Sequence, residues 1–501
     1  MDKFEVTNQE YKEFINAGGY QKNEFWKYPF VKDGRTLAWE EAMRELHDRT
    51  GLPGPRSWSN QNFPEGKAGH PVTDLTWHEA AAYAAFRGKQ LPTIFQWEKA
   101  ARNGDFNVIW NVLPWGIVKP GEGVDRHANF KGQGTMPVES YEFGMSPYGC
   151  YHMAGNVSEW CLNQKGEGFL TAGGSWTDLA YAFGQYGAYP SFYSSGQVGF
   201  RCVRNLPEAK GDQGAIAFKA EDDIPVYQPS SEADFKTWLT HYRYDKTELA
   251  AKMVEEIETD AWRREKIIYV GADGEQAIAY LYLPKNFPQP WQVIHFLPAS
   301  DVVEGLRSLP EAMEMFLPPL IKSGRAAFGV VLKGYSERKW PANYKRPNES
   351  TIEYRKQVVN WATDLRRGLD YLETRKDLDT GKLAFLGVSN GANLGLVMAA
   401  VETRYRSVAL VGSGLRQSMH NRVAEANTIN FAPHIRAPKL MLSGRYDENL
   451  PLKTHAEPLF KLLREPKKLV LYEGGHAPTM EVFAPTINGW LAETLGPVKR
   501  E

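Results

Sequence analysis

The chain is 501 residues long, 42% apolar and 24% charged, with 59 Lys plus Arg against 60 Asp plus Glu. That length and balance fit a globular protein of more than one domain and exclude a disordered, fibrous or strongly basic, nucleic-acid-tracking chain. Three cysteines (Cys150, Cys161 and Cys202) are too few and too scattered for a disulfide framework or a CxxC zinc site, so a reducing, cytoplasmic setting is expected.

The opening MDKFEVTNQEY lacks an apolar run of signal-peptide length. Three helix starts follow, each with a capping box: Thr7 with Glu10, Thr76 with Glu79, and Thr93 with Gln96. In such a box the hydroxyl accepts from the third N–H while the third side chain reaches back. Glycine terminators place the second helix's end at Gly88 and the third's at Gly104. The rest of this half reads as loops and short strands rich in Gly, Pro and Trp, with nine of the 15 tryptophans before residue 205. The composition changes there. The predicted organisation is a first domain over 1–205, a polar, Pro- and Gly-punctuated linker over 206–235, and a second domain over 236–501.

The second half opens with a predicted hairpin turning at Asp273-Gly274. Apolar runs follow at 293–297, 326–332, 383–388, 407–412, 439–444 and 468–473, separated by helical patterns of which 351–375 is the longest. Strands apolar on both faces and alternating with helices imply a mostly parallel sheet covered on both sides. The long apolar stretch 383–401 is interrupted by Ser389, Asn390 and Asn393, so no membrane span is predicted.

Gly387-Val388-Ser389-Asn390-Gly391 lies between an apolar strand and a helix, the context a G-x-S-x-G nucleophile elbow requires. A serine nucleophile needs a base, and the base needs an orienting acid. Downstream, Asp447 and then His476 each stand just past a predicted strand end, in the chain order Ser, Asp, His. Glu448 is a weaker candidate for the acid, and Glu473 sits too close to its strand. The oxyanion donors expected are the backbone amides of Asn390 and Ala299, with Ser300 the alternative to Ala299. In the connection 333–350, Tyr335, Trp340 and Tyr344 are candidates to wall a substrate pocket and Arg338 to meet a carboxylate; the competing reading is a solvated loop pinned by its aromatics. The segment 413–438 has room only for a small lid, which favours modest esters over long-chain lipids.

These residues resemble the α/β-hydrolase superfamily, in its dienelactone-hydrolase and prolyl-oligopeptidase-like branch, over roughly 240–501. The resemblance implies a serine carboxylesterase acting on a small-molecule ester and requiring no cofactor or metal. The alternatives are a serine aminopeptidase, which lacks its propeller here, and a non-catalytic recognition or assembly protein.

In the first half, FEVTNQEYKEFINAGGY, PVTDLTWHEAAAYAAFRGKQLPTIFQWEKAAR, YHMAGNVSEW, AGGSW and GFRCV occur in this order. They resemble the sulfatase-modifying, or formylglycine-generating, enzyme family, which implies an α+β, C-type-lectin-like fold with Trp160 and Trp176 filling its core. That family's copper and thiol chemistry uses a cysteine pair between the last two motifs. Here the segment 177–198 has no cysteine and no histidine, so the domain is expected to be non-catalytic and to serve recognition, packing or homo-oligomer formation. The resemblance also implies a structural calcium at Gly155, Val157 and Glu159, although His152 stands where an oxygen ligand is expected and nitrogen suits calcium poorly.

Overall fold

A computed structural model describes every residue except 103–111, 118–123, 131, 179, 207–215, 219–225, 304, 306, 342 and 499–501, together with the side chains of 112, 117, 181, 417 and 420. It divides into two compact units, Met1–Ala220 and Glu221–Glu501. The predicted linker is shorter in the structure. Ser231 caps a helix over Glu232–Trp238, Ser230 N donates to Asn430 Oδ1 at 2.9 Å, and Phe235 stacks on His434, so this stretch packs into the second unit.

In the first unit the three capping boxes form as read. They start helices α1 (Asn8–Asn16), α2 (Trp77–Phe86) and α3 (Ile94–Arg102). The backbone turns left-handed at Gly88, beyond α2, whereas Gly104 lies outside the described residues. Strands β1 (Ser158–Lys165), β2 (Gly168–Ala172), β3 (Gly187–Pro190) and β4 (Val198–Gly199) form a sheet in the order β3-β2-β1-β4. A short sheet with few helices buries little surface by itself, and large aromatics supply the rest: Trp58, Trp77, Trp97 and Trp160 are fully buried. The indole N–H groups of Trp77 and Trp97 donate to Cys161 O and Glu159 Oε2 at 2.8 and 2.9 Å. Trp176 departs from expectation. It is only partly buried, and its indole donates to Gly196 O at 3.1 Å.

The second unit is built on a nine-stranded sheet. Its strands are β5 (Lys252–Glu258), β6 (Trp262–Val270), β7 (Gln276–Pro284), β8 (Trp291–Leu297), β9 (Ala326–Val331), β10 (Leu378–Val388), β11 (Ser407–Val411), β12 (Lys439–Gly444) and β13 (Lys467–Tyr472). Their spatial order is β13-β12-β11-β10-β8-β9-β7-β6-β5. The pairings from β9 to β13 are parallel and those from β5 to β7 and β9 antiparallel. Every residue of β8, β9, β11 and β12 is buried, which is why these strands read as unbroken apolar runs rather than as alternations. Helices α5 (Ile352–Glu373), α6 (Asn390–Val401) and α7 (Met480–Leu495) pack against the sheet.

The chain leaves β8 for β9 on one side and returns to β10 on the other. That reversal opens a crevice at the carboxyl ends of β8 and β10, where open α/β sheets bind ligands. Strand order, the reversal and the sharp turn after β10 make this unit an α/β-hydrolase fold. Strand β5 was not evident in the sequence. All seven of its residues are exposed, and it is held at the edge by the Glu255–Arg264 and Glu256–Arg263 ion pairs. Among the described residues no helix is long and apolar enough to cross a membrane.

Candidate active site

Strand β10 runs directly into the turn at Ser389, whose φ of +51° and ψ of −113° are rare for a residue with a side chain. The neighbouring glycines have a steric cause. A Cβ at Gly387 would stand 2.6 Å from Ala392 Cα, and one at Gly391 would stand 2.2 Å from Leu297 O and 2.4 Å from Pro298 O. The first turn of α6 therefore lies against the end of β8, close enough that only glycine fits. Ser389 N donates to Val411 O at 2.7 Å, tying the turn to β11.

Two further strand ends bring the base and the acid. Asp447 follows β12 and is 4% exposed. Its Oδ1 accepts from the amides of Asn449 and Leu450, both at 2.9 Å. The loop after β13 carries His476 and is held by the Tyr472 hydroxyl, which donates to Gly475 O at 2.6 Å. Gly444 and Gly412 leave room for that loop: a Cβ on either would meet Gly475 O at 2.0 Å or His476 Cε1 at 3.0 Å.

The three side chains meet in a line. Ser389 Oγ lies 2.8 Å from His476 Nε2, and His476 Nδ1 lies 2.7 Å from Asp447 Oδ2. An ionised carboxylate only accepts, so the proton of neutral His476 is on Nδ1, and Nε2 is left to accept from the serine hydroxyl. Asp447, not Glu448, meets the histidine. Glu473 is engaged elsewhere, with Arg445 Nε at 2.6 Å and the Tyr446 hydroxyl at 2.9 Å.

Ser389 opens onto a cavity of about 360 Å³, within the range of small-molecule sites. Tyr335 and Trp340, both named from the sequence, line it. Burial raises the pKa of the Tyr335 phenol, and the neighbouring Asn390 side chain acts the other way. Trp340 stacks on Tyr344 with ring centres 4.0 Å apart. Of the oxyanion candidates, Asn390 begins α6 and lines the cavity; Ala299 packs against the apolar core, and Ser300 beside it reaches the cavity.

Arg338 corrects an expectation. It is buried, and its Nη1 donates to Val331 O at 2.9 Å and to Asp364 Oδ2 at 2.6 Å. It faces away from any substrate because a buried guanidinium takes the nearest carboxylate and carbonyl. The arginines that do line the cavity are Arg346, Arg416 and Arg422. They come from the two segments the sequence marks as a pocket loop and a small lid, but nothing in the local pattern separates them from ordinary surface arginines.

In the first unit, the residues proposed for calcium do not fit that ion. Both Glu159 oxygens accept from buried Arg201, at 2.6 and 2.7 Å, and one also accepts from Trp97. His152 Nε2 lies 3.3 Å from Pro137 O, and burial lowers its pKa to about 4. Among the described residues no three His, Cys, Asp or Glu side chains gather as a metal requires. The three cysteines are free and buried, and burial raises the thiol pKa of Cys161 and Cys202, the reverse of what a reactive thiolate needs.

Residues 1–206 match the family model for the sulfatase-modifying factor enzyme 1-like domain. The formylglycine-generating enzyme of Mus musculus is 32% identical over 184 residues, which are 32% of this chain and 47% of that protein. The chain thus spans less than half the length of that relative. The inactive C-alpha-formylglycine-generating enzyme 2 of Bos taurus is 30% identical over 244 residues, covering 42% of this chain and 79% of the bovine protein. Among solved structures, the acetyl xylan esterase from Paenibacillus sp. R4 aligns with 54% of this chain and 97% of its own, at 18% identity and a TM-score of 0.43. Through its N-terminal unit, whose motifs, cores and capped helices are described above, this chain belongs to the sulfatase-modifying factor enzyme 1-like family.

Proposed function

We propose that the protein is a serine hydrolase acting on small carboxylic esters, with Ser389, His476 and Asp447 as its catalytic residues. The observation that carries this reading is the unbroken line from Ser389 Oγ through His476 to Asp447 at 2.8 and 2.7 Å. It begins at a strained elbow that opens on a cavity. His476 Nε2 takes the hydroxyl proton as Ser389 attacks the ester carbonyl, and Asp447 stabilises the imidazolium that forms. The amides of Asn390 and of Ala299 or Ser300 supply the oxyanion donors. His476 then protonates the leaving alcohol, and water releases the acid from the acyl-serine.

The N-terminal unit takes no part in the chemistry under this reading. Its segment 177–198 has no cysteine, and its three thiols are buried, which supports a packing, recognition or assembly role. The test of the hydrolase reading is turnover of a p-nitrophenyl ester series, acetyl to octanoyl, by wild type and Ser389→Ala. Hydrolysis is expected in the wild type and its loss, by at least three orders of magnitude, in the variant. Equal turnover by both proteins would refute it.

A further inference from the structure

The cavity beside Ser389 carries an imbalance of charge that ester hydrolysis alone does not use. Arg346, Arg416 and Arg422 line it against one acid, Glu349. Glu349 is already committed: Arg422 Nε and Nη2 donate to its two oxygens at 2.7 and 3.0 Å. Among the described residues Arg346 donates to a carbonyl, Val303 O, at 3.4 Å. Among the described residues neither Arg346 nor Arg416 has a carboxylate within ion-pair distance.

The two come from different segments that line the cavity with Ser389, Arg346 from the loop after β9 and Arg416 from the loop after β11. Arg346 is close enough for its charge to act on the Tyr335 phenol, which lines the cavity with Asn390 and Ser389. A guanidinium presents a planar fork of donors that matches the oxygens of a carboxylate or phosphate. Two such forks around one cavity, neither paired with a carboxylate among the described residues, favour an anionic occupant. Both residues are exposed to solvent, so their guanidinium groups are accessible to an anion that enters the cavity.

We propose that the ester hydrolysed at this site carries a second, ionised oxyanion group, a carboxylate or a phosphate, received by Arg346 and Arg416. The proposal rests on the hydrolase reading above and adds the substrate class to it.

The test uses the full chain and two esters of equal length, p-nitrophenyl valerate and mono-p-nitrophenyl glutarate, which differ by a terminal methyl against a carboxylate. At low salt kcat/KM for the glutarate ester is expected to exceed that for the valerate ester about tenfold or more. The ratio is expected to fall at least threefold in 0.5 M NaCl, because exposed charges are screened, and at least threefold in Arg346→Gln and in Arg416→Gln. If these arginines served only structure, both esters would suffer alike and the ratio would hold, which would overturn the proposal.

Fluorophosphonate labelling of Ser389 keeps the two readings apart. A labelled serine with a ratio at or below one refutes the anionic substrate and leaves the hydrolase standing. An unlabelled Ser389 with no turnover of either ester refutes both. If Ser389 is labelled but neither ester turns over, protection from labelling is compared between glutarate and neutral glutaramide, and equal protection refutes the proposal. Protection by propyl phosphate, set against glutarate, then shows which oxyanion the site prefers.

Discussion

At the scale of single residues, the site depends on places where a side chain is forbidden as much as on those that carry chemistry. Gly387 and Gly391 let α6 close on the end of β8, and Gly412 and Gly444 make room for the His476 loop. Within that frame Asp447 has one geometric task. Its Oδ1 is fixed by two amides, so that Oδ2 faces Nδ1 of the imidazole. Asp447→Asn keeps the shape but offers an amide where the ring needs an acceptor, which favours the wrong tautomer. We expect kcat on p-nitrophenyl esters to fall by about 10⁴ with little change in melting temperature. A variant that kept a tenth of wild-type turnover would remove Asp447 from the catalytic role.

At the scale of elements, the loop after β9 is both wall and bolt. Its Tyr335 and Trp340 face the cavity, while its Arg338 reaches the other way, to Asp364 on α5. Asp364 Oδ1 also accepts from Ala272 N at 2.7 Å, so one carboxylate ties this loop, α5 and the β6–β7 hairpin together. Removing one partner of a buried pair leaves the other charged and unpaired, at a cost of about 3–5 kcal/mol. Arg338→Met is therefore expected to lower the stability of the second unit by that order in urea titration. A variant of unchanged stability whose KM rose for anionic esters alone would return Arg338 to the substrate. Strands β8, β9, β11 and β12 were legible because every residue is buried, and the hairpin strand β6 because it alternates. Strand β5 was not, because an edge strand held by Glu–Arg pairs has the composition of a surface loop.

At the scale of the whole molecule, each unit has its own apolar core, so each carries its own response to pH. In the first unit His78 is buried against Phe30, Trp77 and Phe192. Burial lowers its pKa from the ordinary 6.5 to about 3. The folded state thus holds His78 neutral where the unfolded chain protonates it. Its contribution to stability is full above pH 6.5 and is lost as pH falls towards 3, at up to about 1.4 kcal/mol per pH unit. Between pH 6.5 and 4.5, wild type is expected to lose about 2–3 kcal/mol more than His78→Gln. Denaturant titrations across that window check it, and parallel curves for the two proteins would refute the assignment.

The sequence by itself determined whatever depends on local geometry and chain order. The capping boxes, the parallel strands, the elbow glycines, and the order Ser389, Asp447, His476 all follow from sterics and periodicity, which act over a few residues. That Tyr335 and Trp340 lie in the connection after β9 was also legible, and the structure places both on the cavity lining. Only the tertiary structure decided which charges pair. Arg201 takes both oxygens of Glu159, Arg338 takes Asp364, and Arg422 takes Glu349. Arg346 and Arg416 remain without an acid among the described residues. An arginine looks the same in any surface loop, and its partner is chosen by which carboxylate the fold brings within about 4 Å, across separations that no local pattern records.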